Sequence, residues 1–97
     1  MSEPLVLRGP EGSITLMPGA LTQLVVTAAE SVEGARVRRP KRSVQVGQGT
    51  VSLGLAVGEG ASLPGVAREV QVRVATAVSS TCGLEVEAVD VVVEAVV

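Results

Sequence analysis

Few side chains in this sequence could do covalent chemistry, and they are not grouped. The 97 residues include one cysteine, Cys82, and no histidine. A cysteine nucleophile usually needs a neighbouring base, and the end of a predicted helix disfavours a thiolate because of the helix dipole. Ser79, Ser80 and Thr81 likewise have no base beside them. We therefore expect Cys82 to be chemically unimportant and the chain to be no enzyme, without catalytic residues, a cofactor or a small-molecule substrate.

Two other patterns could bind ions, and each has a simpler interpretation. Glu85 and Glu87 alternate on a predicted strand, which places their carboxylates on one face about 7 Å apart. Such a pair could hold a hard cation, but no further ligand is grouped with it. The Gly58-Glu59-Gly60 segment lies between a predicted strand and a predicted helix, but Leu63 stands where a phosphate loop has its third glycine. We interpret the glutamates as a solvated face and the glycines as a hairpin exit, and we predict no metal site.

The strongest binding signal is a basic run between Ala35 and Val46. It holds five of the eight Lys and Arg residues and no acid, so a total charge of −2 leaves −7 for the rest of the chain. The run could contact phosphates of a nucleic acid or a lipid. It could also be a charged edge that prevents sheets from aggregating, and we favour this interpretation. No aromatic residue is present to stack on bases. The candidate contacts for a partner or polyanion are Arg36, Arg38, Arg39, Lys41 and Arg42.

Length and composition indicate one small domain with an aliphatic core. A chain of 97 residues with 46% apolar residues can bury a core but is too short for two domains. The single cysteine excludes an internal disulfide, and the start of the chain lacks the pattern of a signal peptide, so we expect a cytoplasmic location. No stretch is typical of a transmembrane helix. We assign residues 1–11 to an N-terminal arm and residues 12–97 to a single domain.

Hydrophobic periodicity predicts the order β-α-β-β-α-β. The main predicted elements are strand 13–16, helix 18–34, strands 43–46 and 50–57, helix 62–83 and strand 89–97. In the first strand, Ile14 and Leu16 should face inward. Residues 5–7 could add an edge strand, and residues 35–39 could form a brief strand that Pro40 interrupts.

The helices and strands suggest how the core is built. An apolar stripe recurs every fourth residue from Val66 to Val78, and strand 50–57 has one clearly apolar face. Glycines follow both helices, which predicts positive φ at Gly34 and Gly83 as C-caps. We therefore predict an α+β structure of two layers, with both helices on one face of a small mixed sheet.

The C-terminal strand predicts self-association. Val89, Val91 and Val93 should face the helices, which leaves Val92 on the opposite face of the strand. An uncovered apolar strand of this kind is an aggregation hazard in a monomer, which suggests that another copy or a partner covers it. We therefore expect a homodimer or larger assembly that uses the free edge of this strand or the open sheet face. The candidate contacts are Val92, Val96 and Val97.

A pattern spread over most of the chain resembles one known family. The residues that carry it are residues 12–16, Ala28, Ala29, Val32, Gly34, residues 44–46 and 51–57, Gln71, Val74, Val78, Cys82, Gly83, Leu84, Val86, Val89 and Val91. They fall where the alkaline shock protein family, known from envelope stress in Gram-positive bacteria, has its typical pattern. Ala35 and Cys82 depart from it, since the family usually has valine and threonine there.

The resemblance implies a function that the residues alone do not. It implies an abundant, non-catalytic cytosolic protein that self-associates and gathers beneath the membrane through a membrane-anchored partner, in support of envelope stress tolerance. The alternative is a nucleic-acid-binding module of KH-like two-layer build that uses the basic segment 36–42, and we favour it less. A salt-dependent gel shift separates the two, because binding driven by phosphates weakens steeply with salt.

Overall fold

The structure is a computed structural model that describes residues 5–47 and 49–97, with the backbone alone for Leu5 and Lys41. Its elements are β1 (Leu5–Gly9), β2 (Gly12–Leu16), α1 (Pro18–Glu30), β3 (Ala35–Arg36), α2 (Pro40–Ser43), β4 (Val44–Val46), β5 (Thr50–Val57), α3 (Leu63–Cys82) and β6 (Ala88–Val96). The predicted α+β architecture, with two long helices on one face of a small mixed sheet, is confirmed.

Strand β5 is the centre of the four-stranded sheet. Strand β6 pairs with it in parallel along its whole length, from Thr50 to Val57. Because β6 occupies that entire edge, β3 and β4 share the other edge, where both run antiparallel to β5. Helix α1 packs beside α3, with α1 over β3 and β4 and α3 over β6. The two outer edges of the main sheet are therefore β6 on one side and β3 with β4 on the other.

The core lies between the two long helices and one face of β5. Alternation along β5 directs its odd-numbered residues to the helices, and the stripe on α3 meets them. The largest fully buried side chains are Val25, Val51, Leu53, Leu55, Val57, Val70, Val74 and Val78. All of them are aliphatic, as the composition requires. The stripe and the apolar face of β5 that the sequence predicts are confirmed.

Helix α3 begins and ends at the residues that helix-capping preferences predict. Its N-cap is Ser62, whose hydroxyl oxygen accepts a hydrogen bond from the amide of Gly65 (3.3 Å). Its C-cap is Gly83, which has φ 67° and donates its N–H to the carbonyl of Ser79 (2.9 Å). The prediction for Gly83 is confirmed.

Replacing Gly83 with alanine is expected to destabilise the protein by about 1 kcal/mol, because an L residue is strained at this positive φ. A Cβ here would meet no other atom within 4 Å, so the cost comes from the backbone alone. Gly19→Ala is the matched control, since a Cβ at this helical position also meets nothing. Urea unfolding should show a lower midpoint for Gly83→Ala and an unchanged or higher one for Gly19→Ala. Equal losses in both variants would contradict the argument.

Helix α1 ends earlier than the sequence predicts. Its last residue is Glu30 and its C-cap is Ser31, whose hydroxyl donates to the carbonyl of Ala28 (2.6 Å). Gly34 does have a positive φ of 91°, as predicted, but it is not a helix cap. It lies in the turn before β3, where its carbonyl accepts the N–H of Gly58 (2.9 Å). The serine side chain competes for a carbonyl of the last turn, and the helix therefore ends about one turn before the predicted end at Gly34.

The prediction that residues 13–16 form a strand of the main sheet is wrong. Strand β2 pairs with β1 instead, in an antiparallel hairpin that forms a separate two-stranded sheet. Ile14, expected to face inward, is 64% exposed, and Leu16 is half-buried. The turn Gly9-Pro10-Glu11-Gly12 favours the local pairing, because Pro10 is set for a turn and Gly12 adopts φ 128°. The expected arm therefore pairs with the expected first strand, and residues 1–4 of the arm lie outside the described residues.

The basic segment is also more compact than predicted. The expected strand over residues 35–39 is reduced to Ala35–Arg36, and Pro40 starts the short helix α2. Proline favours the first turn of a helix because its φ is already helical and it has no N–H to satisfy. The amide of Val37, which no longer pairs with a strand, donates to Oε2 of Glu30 (3.0 Å). The short helix α2 packs against β4 and β5.

Candidate functional site

Two surfaces of the molecule carry the residues that the sequence singled out, and the first is the outer edge of β6. In the described part of the chain, this nine-residue strand pairs with β5 only. Val92, Val96 and Val97 are 62%, 56% and 60% exposed. Val92 lies opposite Gly54, on the face of the sheet away from the helices, as predicted. A long exposed edge with large apolar side chains is a template for pairing with another strand.

A β-bulge at Glu94 changes the faces of the last residues of β6. Val93 lies opposite Leu55 and Ala95 lies opposite Ala56, so that Glu94 has no partner on β5. The extra residue shifts the alternation by one position. As a result, Val96 lies opposite Val57, on the helix side of the sheet, whereas Val92 is on the open side. The exposed valines of β6 therefore extend over both faces.

The peptide groups of β6 alternate between β5 and the outer edge. The N–H of Ala88 donates to the carbonyl of Gly49 (3.3 Å), which directs this residue towards β5. By alternation the peptide groups of Val89, Val91 and Val93 point outward. The outward carbonyl of Val89 is occupied, because Nε2 of Gln71 on α3 donates to it (2.9 Å). The open part of the edge therefore begins beyond Val89.

A groove runs beside this edge, between α3 and the start of β6. Its volume is about 430 Å³, and its walls include Gln71, Val72, Ala75 and Val86. Val72 is 65% exposed, although it is a valine on a helix that packs on the sheet. Glu87 and Asp90 also line it, so the groove has apolar side chains on α3 and two acidic residues around the start of β6.

The second surface is an arginine cavity on the open face of the sheet. Arg38, Arg39 and Arg42 line it together with Ser43, Glu94 and Ala95, and its volume is about 290 Å³. All three arginines are exposed. The other two predicted basic contacts do not complete it: Arg36 lies on β3 opposite Ala56 and does not line the cavity, and the side chain of Lys41 lies outside the described part of the structure.

Glu94 brings one negative charge to this cavity. Its carboxylate lies over Gly54, where a Cβ would overlap it, and Oε1 accepts a hydrogen bond from the hydroxyl of Ser43 (3.4 Å). The described residues form one close ion pair, between Arg73 and Glu69 on α3 (3.0 Å), so none of the cavity arginines is neutralised by direct contact. The bulge and the glycine together place one carboxylate in a cavity lined by three arginines.

The remaining candidate groups are not brought together. The segment that carries Glu85 and Glu87 is irregular, because β6 begins only at Ala88, so the predicted strand face for this pair is wrong. Ser79 is exposed and Cys82 is buried in the last turn of α3. Among the described residues, no group of three His, Cys, Asp or Glu side chains could hold a metal ion.

Burial raises the pKa of the Cys82 thiol, because the thiolate would lose its water. A raised folded pKa means that the thiol adds stability below the ordinary pKa of about 9.0, and that this stability is lost as the pH rises above it. We expect alkylation of the native protein at pH 8 to be much slower than in urea, and Cys82→Thr to keep the fold and the association state. Equal alkylation rates in the two conditions would contradict this, as would a Cys82→Thr variant that precipitates.

Comparisons with known proteins add no information about these two surfaces. No family model, no curated protein and no solved structure matches this chain. Within residues 5–47 and 49–97, no helix combines the length and the apolar character needed to cross a bilayer.

The sequence analysis did not predict the groove or the hydrogen bond from Gln71 to the carbonyl of Val89. It also did not predict that Ser43 and Glu94 line the same cavity as the arginines. One signal for the last was present. Gly54 interrupts a strand of valine and leucine, and a glycine inside a strand often marks the close approach of another group. The approaching group is the Glu94 carboxylate.

Proposed function

We propose that this chain is a non-catalytic interaction protein that self-associates through the outer edge of β6. The observation that carries the proposal is the outer edge of this nine-residue strand, with which no described residue pairs and on which Val92 and Val96 are exposed. Natural proteins protect such edges with charges, prolines or covering segments. Strand β6 has no proline, and its two acids, Asp90 and Glu94, lie on one face of the sheet only. A second chain would cover the exposed valines that these two acids and the bulge at Glu94 leave in water.

The resemblance to the alkaline shock protein family supports a more specific role. We propose that the assembly acts in envelope stress tolerance and is held near the membrane by a membrane-anchored partner. Crosslinking in cells followed by purification of the chain tests this part of the proposal. Recovery of a membrane-anchored protein that depends on an intact β6 edge supports it, whereas recovery of the chain crosslinked only to itself counts against the partner.

Replacing Val92 with lysine is expected to weaken self-association at least tenfold, or by about 1.4 kcal/mol, because the new charge would lose its water in the interface. The fold should survive, since Val92 is exposed and the nearby carboxylates of Asp90 and Glu94 tolerate a cation. Ser80→Lys, which adds the same charge at the exposed end of α3, is the control. Light scattering over a concentration series measures the effect. An intact chain that is a clean monomer at tens of micromolar would overturn the proposed function.

A second candidate function rests on the arginine cavity. Three arginines that line a cavity of about 290 Å³ could bind the phosphates of a polyanion. A gel shift with RNA and DNA at increasing salt tests this candidate, with the triple variant Arg38→Gln, Arg39→Gln and Arg42→Gln beside the intact chain. Binding that weakens steeply with salt and is lost in the triple variant supports it. The melting temperature of the variant should stay within a few degrees, because all three side chains are exposed.

A further inference from the structure

The β1–β2 hairpin leaves large apolar side chains in water. Its register places Leu7 directly opposite Ile14, and Leu16 lies two residues further along the same strand, so the three share one face. Ile14 is 64% exposed, Val6 on the other face is 40% exposed, and Met17 after the hairpin is 60% exposed. A single two-stranded hairpin is marginally stable in water. The hairpin therefore needs a surface on which to pack.

The outer edge of β6 offers a surface of the right kind. The adjacent groove of about 430 Å³ has Val72, Ala75 and Val86 in its lining, together with Gln71, Glu87 and Asp90 at its polar rim. Beside it, the peptide groups of Val91 and Val93 point away from β5, ready to pair with an added strand. A strand placed there would satisfy these groups, and the side chains at its end beside Val89 would lie next to the groove.

We propose that β2 of a second copy pairs in parallel with the outer edge of β6 and places Ile14 in the groove between α3 and β6. Copies of the chain thus associate by exchanging their N-terminal hairpins. This inference rests on the self-association proposed above, and it names the segment that covers the edge.

Both faces of the docked hairpin meet complementary side chains. With Ile14 in the groove on the helix side, strand alternation places Val6 and Arg8 on the opposite face of the hairpin. That face continues the open face of the main sheet, where Asp90 and Val92 are exposed. Arg8 then lies on the same face as the carboxylate of Asp90, and Val6 on the same face as Val92, in each case one strand beyond β2. Two exposed apolar parts of the chain then cover one another, and the charges of Arg8 and Asp90 are opposite.

The attachment of the hairpin favours exchange between copies over docking on the same chain. One residue, Met17, separates β2 from α1. Helix α1 lies over β3 and β4, whereas the open edge of β6 is on the other side of the sheet, beyond β5. A hairpin tied so closely to α1 is held away from the β6 edge of its own chain. The hairpin of a second copy has no such tether.

Disulfide trapping tests the proposal directly, because the native Cys82 is buried and gives little background. Two single variants, Ile14→Cys and Val72→Cys, are prepared with tags of different mass, mixed and oxidised mildly. A disulfide between them can form only between copies. We expect a mixed dimer in high yield, and a much lower yield when Val72→Cys is replaced by Ser80→Cys, which lies on α3 outside the groove.

A second variant separates this inference from the proposed function. Ile14→Lys is expected to weaken association at least tenfold without lowering the melting temperature, since the side chain is already exposed in the free chain. If Ile14→Lys associates normally and no mixed disulfide forms, the hairpin is not the occupant, although self-association stands. A monomeric intact chain overturns both. A disulfide within single chains of the double variant Ile14→Cys/Val72→Cys, in a monomer, would show that the hairpin docks on its own chain and would overturn the exchange.

Discussion

Replacing Val74 with aspartate is expected to unfold the protein. Val74 is fully buried on the face of α3 that packs on the sheet. An aspartate there would be an unpaired charge in an apolar core, since the core contains no buried polar or charged side chain among the described residues. Burying such a group costs several kcal/mol. A domain of this size has a free energy of unfolding of only about 5–15 kcal/mol. The destabilisation by a buried aspartate is therefore comparable with the entire stability of the protein.

The matched control is Val72→Asp, two residues earlier on the same helix. Val72 is 65% exposed, so its replacement should leave the far-UV circular dichroism spectrum and the cooperative melting transition intact. The Val74→Asp chain should lose both. A folded Val74→Asp variant with a melting temperature near that of the intact chain would show that α3 does not present this face to the core.

Replacing Leu55 with alanine is expected to lower the free energy of unfolding by about 2–5 kcal/mol. Leu55 is fully buried on β5, where the helices cover one side, β6 pairs along one edge, and the other edge lies between the residues that pair with β4 and those that pair with β3. Its neighbours are held by the central strand and the two long helices, so they cannot collapse into the space left by the missing atoms. The cost therefore includes both the lost transfer free energy and the cavity.

Leu63→Ala makes the same chemical change at a site that is 40% exposed, at the start of α3. Urea unfolding followed by circular dichroism should give a much smaller loss for this variant than for Leu55→Ala. Similar losses in the two variants would mean that Leu55 does not occupy the packed centre of the core. The comparison also tests the parallel pairing of β5 with β6, because Leu55 is central only if β6 covers that edge.

The absence of aromatic residues strengthens the predictions for both Val74→Asp and Leu55→Ala. Each buried valine or leucine contributes about 1.5–3 kcal/mol by leaving water, and none of the largest fully buried side chains is bigger than leucine. The stability is thus spread over many small contacts, with no single dominant anchor. Covering the hairpin and the β6 edge between copies would add apolar burial that the small core does not supply.

Local features of this protein were predictable from its sequence. The hydroxyl of Ser62 caps α3, Gly83 ends it, and the stripe from Val66 to Val78 packs on the core. The alternation of β5 correctly predicts which of its side chains meet the helices. Each of these features depends on residues within a turn or two along the chain, whose geometry is set by short-range sterics and by the helix and strand periods.

Features that depend on distant pairing were decided by the tertiary structure. The sequence could not show whether β2 joins the main sheet or pairs with β1, because both pairings suit its alternation and only a competition between edges selects one. Nor could it show the bulge at Glu94. The contact of Glu94 with Ser43 joins residues 51 positions apart, and it exists because β4 and β6 flank the same strand. A contact of that range follows from strand order and register, which the whole core sets together.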